Sequence, residues 1–325
     1  MTRFLSFSLI IVLLGSLLNL CPTLFWFQEV NINLSSYYLL FQIFFILIIL
    51  YRIFKYRNKI ILNLITLIFL TFLIINNLLP LRQYYIADYE KKFPSYEKKQ
   101  IKDQPKLSFY YANLLFNNRS SKFIEQIKLL DPDFVLLLEV GDYHYNLIKD
   151  QLNYSFIEEA KDLTVKMLIL SKYPKDIFLL KNFSETKIDA EFIFQEYKIA
   201  DQSINLLLWH AKQPLIPKNF SVNKVLCRRL ASMSRDLKKP LIVFGDFNAT
   251  PYSNCFKWFN SSPKLFNAMT EQGFLRTWNA RSPFLRLTLD HIFYNSFFRI
   301  KEIKRLDGID SDHYPFFVKA VVEIP

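Results

Sequence analysis

The stretch Leu241-Ile242-Val243-Phe244-Gly245-Asp246-Phe247-Asn248-Ala249-Thr250-Pro251 starts as four apolar residues and stops at a glycine, a carboxylate and an amide. A short apolar run closed by turn-forming residues reads as a buried strand. Side chains at the end of such a strand leave the core, and α/β proteins bind ligands there. Asp246 and Asn248 lie two apart, so in extended backbone both point the same way. A carboxylate and an amide so placed can hold a water and a phosphoryl oxygen together.

The same pattern recurs on either side. Leu107 to Ala112 predicts a strand ending at Asn113, Phe134 to Leu138 one ending at Glu139, and Ile204 to Trp209 one ending at His210. Val165 to Leu170 runs into Ser171-Lys172-Tyr173-Pro174, Leu287 to Tyr294 contains Asp290, and Tyr314 to Val322 follows Asp312-His313. Helices are predicted over Ser120 to Leu130, from the spacing of Phe123, Ile124, Ile127 and Leu130, and over Asn219 to Leu237. Alternation of strands and helices predicts an α/β globule large enough for one core.

The 325 residues are 51% hydrophobic with only 5 glycines and 3 cysteines. The mean hydropathy is +0.12. Disordered, collagen-like and disulfide-scaffold classes are excluded. No CxxC pair, Walker loop, G-x-G-x-x-G or G-x-S-x-G elbow occurs. The apolar excess sits at one end, in uncharged runs at Phe4 to Phe27, Leu34 to Tyr51 and Ile60 to Leu79. Runs of about 20 apolar residues match the hydrocarbon thickness, which predicts three transmembrane helices. The first is too long for a signal peptide and lacks a small-x-small cleavage site. Gln28 to Asn33 has no Lys or Arg, whereas Arg52 to Lys59 has four. By the positive-inside rule the second connector is cytoplasmic, and everything after the third span is extracytoplasmic. The predicted organisation is a membrane domain over 1–82, a charged linker over 83–105 and a catalytic domain over 106–325. The residues after 82 hold 35 basic and 28 acidic side chains, a net +7. That balance suits a polyphosphate or an anionic lipid surface and fits an ordinary solvated surface equally.

Carboxylate and amide oxygens without cysteine suit Mg²⁺, Mn²⁺ or Ca²⁺ rather than zinc. Asp290 and His313 can pair, the carboxylate fixing the ring tautomer and raising its pKa. His210 offers a second imidazole. His144, in a polar helix, reads as a surface residue, and His291 as a structural residue facing away from Asp290.

Asn113, Leu138-Glu139, Ser171-Lys172-Tyr173-Pro174, His210, Gly245-Asp246-Phe247-Asn248-Ala249-Thr250-Pro251, Leu289-Asp290-His291-Ile292 and Ser311-Asp312-His313-Tyr314-Pro315 occur in an order that resembles the endonuclease/exonuclease/phosphatase superfamily, the deoxyribonuclease I-like group. The resemblance covers about residues 106–323. The apolar N-terminus and Thr277-Trp278 look like a bacterial membrane-anchored branch of it. The resemblance implies a four-layer αββα sandwich and metal-dependent phosphoester hydrolysis. It implies Glu139 as the main metal ligand with Asn113 beside it and Asp312 in support. It further implies Asp246 and Asn248 orienting the water and a phosphate oxygen, His210 on the scissile phosphate, and Asp290 paired with His313. The proton acceptor is left open between His313 and Asp246.

Three functions follow as expectations: a membrane-anchored phosphodiesterase acting on nucleic acid, a phospholipid or sugar-phosphate hydrolase, and a non-enzymatic membrane binding module. The expected location is a bacterial inner membrane, and no protein partner is inferable. Cys227 and Cys255 can join as a disulfide if the domain lies outside, although the helical setting of Cys227 favours a plain core position.

Overall fold

The computed structural model describes residues 2–19, 26–56, 60–79, 104–159, 166–175, 191–200, 202–237, 239–261, 265–269 and 275–323. Nearly all of the expected linker lies outside the described residues. Four N-terminal helices come first: α1 (Thr2–Leu18), α2 (Trp26–Asn33), α3 (Ser35–Tyr56) and α4 (Ile60–Leu78). Among the described residues only α3 and α4 have the length and apolarity to cross a membrane, so the count of three is corrected to two candidates. The uncharged run Phe4 to Phe27 does not form one long helix. Its first helix, α1, ends at Leu18 after 17 residues, and a separate polar helix begins at Trp26. Pro22, inside that run, lacks the backbone N–H that a helix interior needs. Val12, Phe45, Ile49 and Leu70 pack α1, α3 and α4 together. Gln42 on α3 donates to Ser16 Oγ and accepts from Asn77 Nδ2, joining the three helices through polar bonds.

The rest of the chain builds two mixed sheets. One has the order β10-β11-β1-β2-β4-β3 and the other β5-β6-β7-β9-β8. In the first, β1 (Lys106–Asn113) runs parallel to β2 (Phe134–Val140), with α5 (Lys122–Leu130) as the crossover. In the second, β6 (Gln202–His210) runs parallel to β7 (Leu241–Asp246), with α7 (Pro217–Asp236) as the crossover. The other strands, β3 (Phe156–Glu159), β4 (Lys166–Ser171), β5 (Glu191–Ile199), β8 (Phe266–Asn267), β9 (Asp290–Tyr294), β10 (Phe298–Arg305) and β11 (Phe316–Val322), pair antiparallel. Helices α6 (Asp142–Gln151) and α8 (Asn254–Ser261) complete the described set. The predicted strands are present, with one correction: Asp290 opens β9 instead of lying inside a longer strand.

Side chains alternate between faces, and the buried clusters follow that period. Phe109, Tyr111, Leu136 and Leu138 of one sheet join Leu206, Leu208, Phe244 and Ile292 of the other in a single core between the sheets. The intervening residues Tyr110, Ala112, Val135 and Leu137 pack with Phe123, Ile124 and Ile127 of α5 and Ile148 of α6. Leu207, Trp209, Leu241 and Val243 pack with Leu226 and Leu230 of α7 and Phe256 and Phe259 of α8. A disulfide joins Cys227 on α7 to Cys255 on α8, with Cα atoms 5.3 Å apart.

His144 is fully buried, which corrects its reading as a surface residue. It stands edge-on to Phe123, and its Nδ1 accepts a hydrogen bond from the Gly141 N–H. A sequence that looks polar around α6 therefore still turns one imidazole inward. Burial lowers its pKa to about 4, assisted by the Arg119 charge. The folded pKa lies below the ordinary value of about 6.5, so the unfolded chain takes up the proton first as pH falls. The stability held by neutral His144 is therefore complete above pH ~6.5 and is lost on acidification toward pH ~4. Replacing His144 with Leu is expected to flatten that acid limb by up to about 3 kcal/mol, read from unfolding of the full chain against pH.

Candidate active site

Stepping two residues along each core stripe leads out of the apolar gap to one rim. Asn113 follows Tyr111 on β1, His210 follows Leu208 on β6, Asp246 follows Phe244 on β7, and Asp290 precedes Ile292 on β9. Strand pairing sets His210 opposite Asp246, and Asp246 opposite Asp290. Gly245 is required between them, because a Cβ there would stand 2.1 Å from the Trp209 carbonyl oxygen.

Glu139 breaks the alternation. It follows Leu138, which already faces the gap, so regular strand geometry would point Glu139 toward the helices. Its φ is 51°, in the left-handed region, and the β2–β4 register slips between Leu137 and Val140. A bulge of this kind re-aims a side chain. Asn248 is also left-handed, with φ 47°. Such backbone costs about 1–3 kcal/mol per residue and persists where neighbours fix it. At Asn248 they do: its N–H donates to Asp246 Oδ1 at 2.8 Å and its Nδ2 to the Ala211 carbonyl at 2.7 Å.

Two polar groups meet at this rim. In the first, Asp290 is fully buried and accepts the Tyr111 hydroxyl at 2.6 Å and His313 Nδ1 at 2.8 Å. His313 Nε2 then points toward Asp246 Oδ2, 3.6 Å away. In the second, Asn113 Nδ2 donates to Glu139 Oε1 at 2.9 Å and lies 3.4 Å from Asp246 Oδ2. His210 Nε2 is 3.5 Å from Glu139 Oε1. Asp312 sits at the edge, its carboxylate accepting Trp278 Nε1 at 3.0 Å. All eight expected residues thus lie in or beside this rim, with Asp312 turned toward Trp278.

Burial raises the Asp246 pKa to about 7, against the opposing charge of His313 and with the charge of Asp290 adding to the rise. Burial also acts to raise Asp290, but the His313 charge and hydrogen bonds from His313, Thr277 and Tyr111 outweigh it and hold Asp290 low. For His313, burial favours the neutral ring, and the carboxylates Asp290 and Asp246 overcome it, lifting the pKa to about 10. His313 is therefore held as the cation at neutral pH.

Asp246, Asp290 and His313 present ligand atoms within 4.8 Å of one another. Both oxygens of Asp290 are already engaged by Tyr111 and His313, however, which suits the carboxylate to orienting the imidazole. Glu139 and Asn113 offer hard oxygen donors, which fit a divalent cation of the Mg²⁺ class.

His291 is structural, as expected: its Nε2–H donates to the Ala249 and Thr288 carbonyls. Tyr111 and Ser311 were missed. Tyr111 was detectable, because it shares the face of Asn113 two residues away. Ser311 Oγ donates to the Asn113 carbonyl and accepts the His313 N–H, tying the two groups together. Thr277 Oγ1 accepts the backbone N–H groups of Leu289 and Asp290. The remaining missed partners come from α2 and have no local sequence signal. Asn33 Oδ1 accepts both the Thr250 N–H at 2.8 Å and the Thr250 hydroxyl at 2.9 Å. Glu29 accepts from Ser253 Oγ and Asn254 Nδ2, and Ile32 packs on Tyr252. The loop after Asn248 is thereby buried under α2.

Residues 110–313 match the model of the endonuclease/exonuclease/phosphatase family. The chain belongs to that family. Members of it are phosphoester hydrolases, and the two-sheet α/β sandwich agrees. Among solved structures, an endonuclease/exonuclease/phosphatase from Bacteroides vulgatus is 15% identical with a TM-score of 0.55, covering 68% of this chain and 100% of its own. TDP2 from D. rerio, complexed with a single-strand DNA product, is 17% identical with a TM-score of 0.52, covering 66% and 98%. The mannosyl-6-phosphatase Bt3783 of Bacteroides thetaiotaomicron is 18% identical with a TM-score of 0.51, covering 66% and 99%. No curated protein sequence matches the chain.

Replacing Asn33 with Ala leaves the buried Thr250 hydroxyl and N–H without their acceptor, a loss of about 1–3 kcal/mol. The expected outcome is faster amide hydrogen exchange over residues 247–254 of the full chain, with the β1–β2 amides unchanged.

Proposed function

We propose that the chain is a membrane-anchored, divalent-metal-dependent phosphodiester hydrolase with a four-layer αββα catalytic domain. The observation that carries this reading is the Tyr111–Asp290–His313 relay, ending beside Asp246 and the Glu139–Asn113 pair. Mg²⁺, or Mn²⁺ or Ca²⁺ in its place, would be held by Glu139 and Asn113 with Asp312 in support, and when bound supplies Lewis-acid polarisation of the phosphoryl oxygen.

The chain's own residues do the rest. Tyr111 and Asp290 fix the imidazole of His313 and keep it protonated. That cation faces the phosphoryl group and stabilises the negative charge that develops as water attacks, an effect worth about 3 kcal/mol for a well-placed donor. A ring held protonated does not take the proton of the water. Asp246, with its pKa raised to about 7, is matched to that task near neutral pH. Asn248, braced by the Ala211 carbonyl, orients the water or a non-bridging oxygen. His210, beside Glu139, contacts the scissile phosphate.

Nucleic acid is the first substrate class, supported by the net +7 of residues 83–325. A phospholipid is the second, favoured by one observation: α2 and the first turn of the apolar helix α3 lie against the loops beside the site. The Cys227–Cys255 disulfide supports a catalytic domain on the oxidising, extracytoplasmic face of a bacterial inner membrane. α3 and α4 support the anchor.

The full chain in detergent is expected to hydrolyse bis-p-nitrophenyl phosphate only with a divalent cation, and to lose that activity with EDTA. Asp290→Asn is expected to lower kcat by on the order of 10³-fold or more, as when a carboxylate orienting an imidazole is neutralised. Wild-type rates in EDTA, or in the Asp290→Asn chain, would remove the proposed mechanism. Parallel assays on plasmid DNA and on phospholipid vesicles separate the two substrate classes.

A further inference from the structure

A cavity of about 220 Å³ lies where the start of α3 meets the catalytic domain. One wall comes from α3, including Tyr37, Leu39 and Leu40. The opposite wall comes from Phe284, Arg276 and Arg286, and the loop Thr250–Tyr252 closes the side toward the candidate active site. The two walls are pinned together. The Tyr37 hydroxyl donates to the Phe284 carbonyl at 3.0 Å and accepts the Arg286 N–H at 2.6 Å.

The walls are chemically unlike. Leu40 is 62% exposed and Phe284 87% exposed, an apolar ledge continuous with a helix apolar enough to cross a bilayer. Arg276 and Arg286 have no ion pair among the described residues. The Arg286 guanidinium is braced by the Ser282 carbonyl and by the Tyr314 ring 5.6 Å away. Two arginines that make no ion pair among the described residues line the same cavity as the apolar ledge, a combination that suits a phosphate joined to an acyl chain.

We propose that this cavity binds one anionic phospholipid of the surrounding bilayer, its phosphate at Arg276 and Arg286 and its acyl chain along Leu39, Leu40 and Phe284. The inference rests on the reading of α3 as a membrane span. The bound lipid fills the seam beside Thr250–Tyr252, the loop that follows Asp246 and Asn248. It is therefore a structural lipid next to the site, distinct from a substrate held by Glu139 and His313.

The test uses the full chain purified in mild detergent and titrated with phosphatidylglycerol under native mass spectrometry. One retained phosphatidylglycerol per chain is expected. Its apparent Kd should weaken about tenfold or more in the Arg276→Gln/Arg286→Gln chain, because charge-assisted hydrogen bonds to phosphate are lost. Leu40→Asn, at the other end of the cavity, should weaken it as well. Inorganic phosphate, added as a competitor, should not displace the lipid. Equal retention by the double variant, or by the exposed single variant Arg276→Gln should the double variant unfold, overturns the proposal. Full displacement by inorganic phosphate overturns it too, because the cavity would then bind free phosphate. Metal-dependent hydrolysis of the soluble diester, followed in the same preparations, reports on the catalytic reading independently. Recovery of the chain in the membrane fraction reports on the span.

Discussion

Asp246 and Asp290 place two carboxylates at the mouth of an apolar gap between sheets, 2% and 0% exposed respectively. Burying one ionised carboxylate without partners is costly, and burying two side by side is more so. Most of the polar architecture at the rim answers that cost. His313 sits between them as a cation, Tyr111 crosses from the other sheet to Asp290, and the Asn248 N–H caps Asp246. Ser311 and Thr277 then hold the backbone that carries His313 and Asp290. The two sheets are therefore joined at this end by hydrogen bonds and ion pairs, where the rest of their interface is apolar.

That arrangement explains how much could be read from the chain. Six of the eight proposed residues lie at the ends of apolar strands or within one expected strand, and the two-residue period carries the core stripe directly onto Asn113, His210, Asp246 and Asp290. Glu139 was found because it stops a run, although its orientation depends on a left-handed residue and a register slip that no period encodes. Strand β10 went unread for a related reason. Its Phe298-Arg299-Ile300-Lys301-Glu302-Ile303-Lys304-Arg305 alternates only until a bulge between Ile300 and Glu302 shifts the phase. His144 was misjudged because composition around a helix does not show which side chain turns inward.

The N-terminal helices show a different limit. A run of uncharged residues records transfer free energy, and it says nothing about where the helix stops. Phe4 to Phe27 holds a helix that ends at Leu18 and the first two residues of another, whose polar residues Glu29 and Asn33 grip the loop after Asn248. In the sequence those two residues look like an ordinary connector. Their partners lie more than 200 positions away, at Thr250, Ser253 and Asn254. Long-range side-chain bonds of this kind have no local signature.

The contact between α2 and the Thr250–Ser253 loop also constrains what the site can do. A domain tethered only through a flexible segment would sample many orientations relative to its anchor. Here Asn33 and Glu29 grip the loop that begins at the Asp246–Asn248 turn, and Tyr37 grips the segment Phe284–Arg286 from the first turn of α3. With α3 in a bilayer, both grips would hold the rim at a set height and tilt above the headgroups. A substrate would then have to present its phosphodiester at that height. A strand of nucleic acid passing over the surface and a lipid headgroup standing in it meet this condition from opposite sides. The discriminating property would therefore be the direction from which the phosphate reaches Glu139 and His313, more than the proposed catalytic residues themselves, which would serve either case alike.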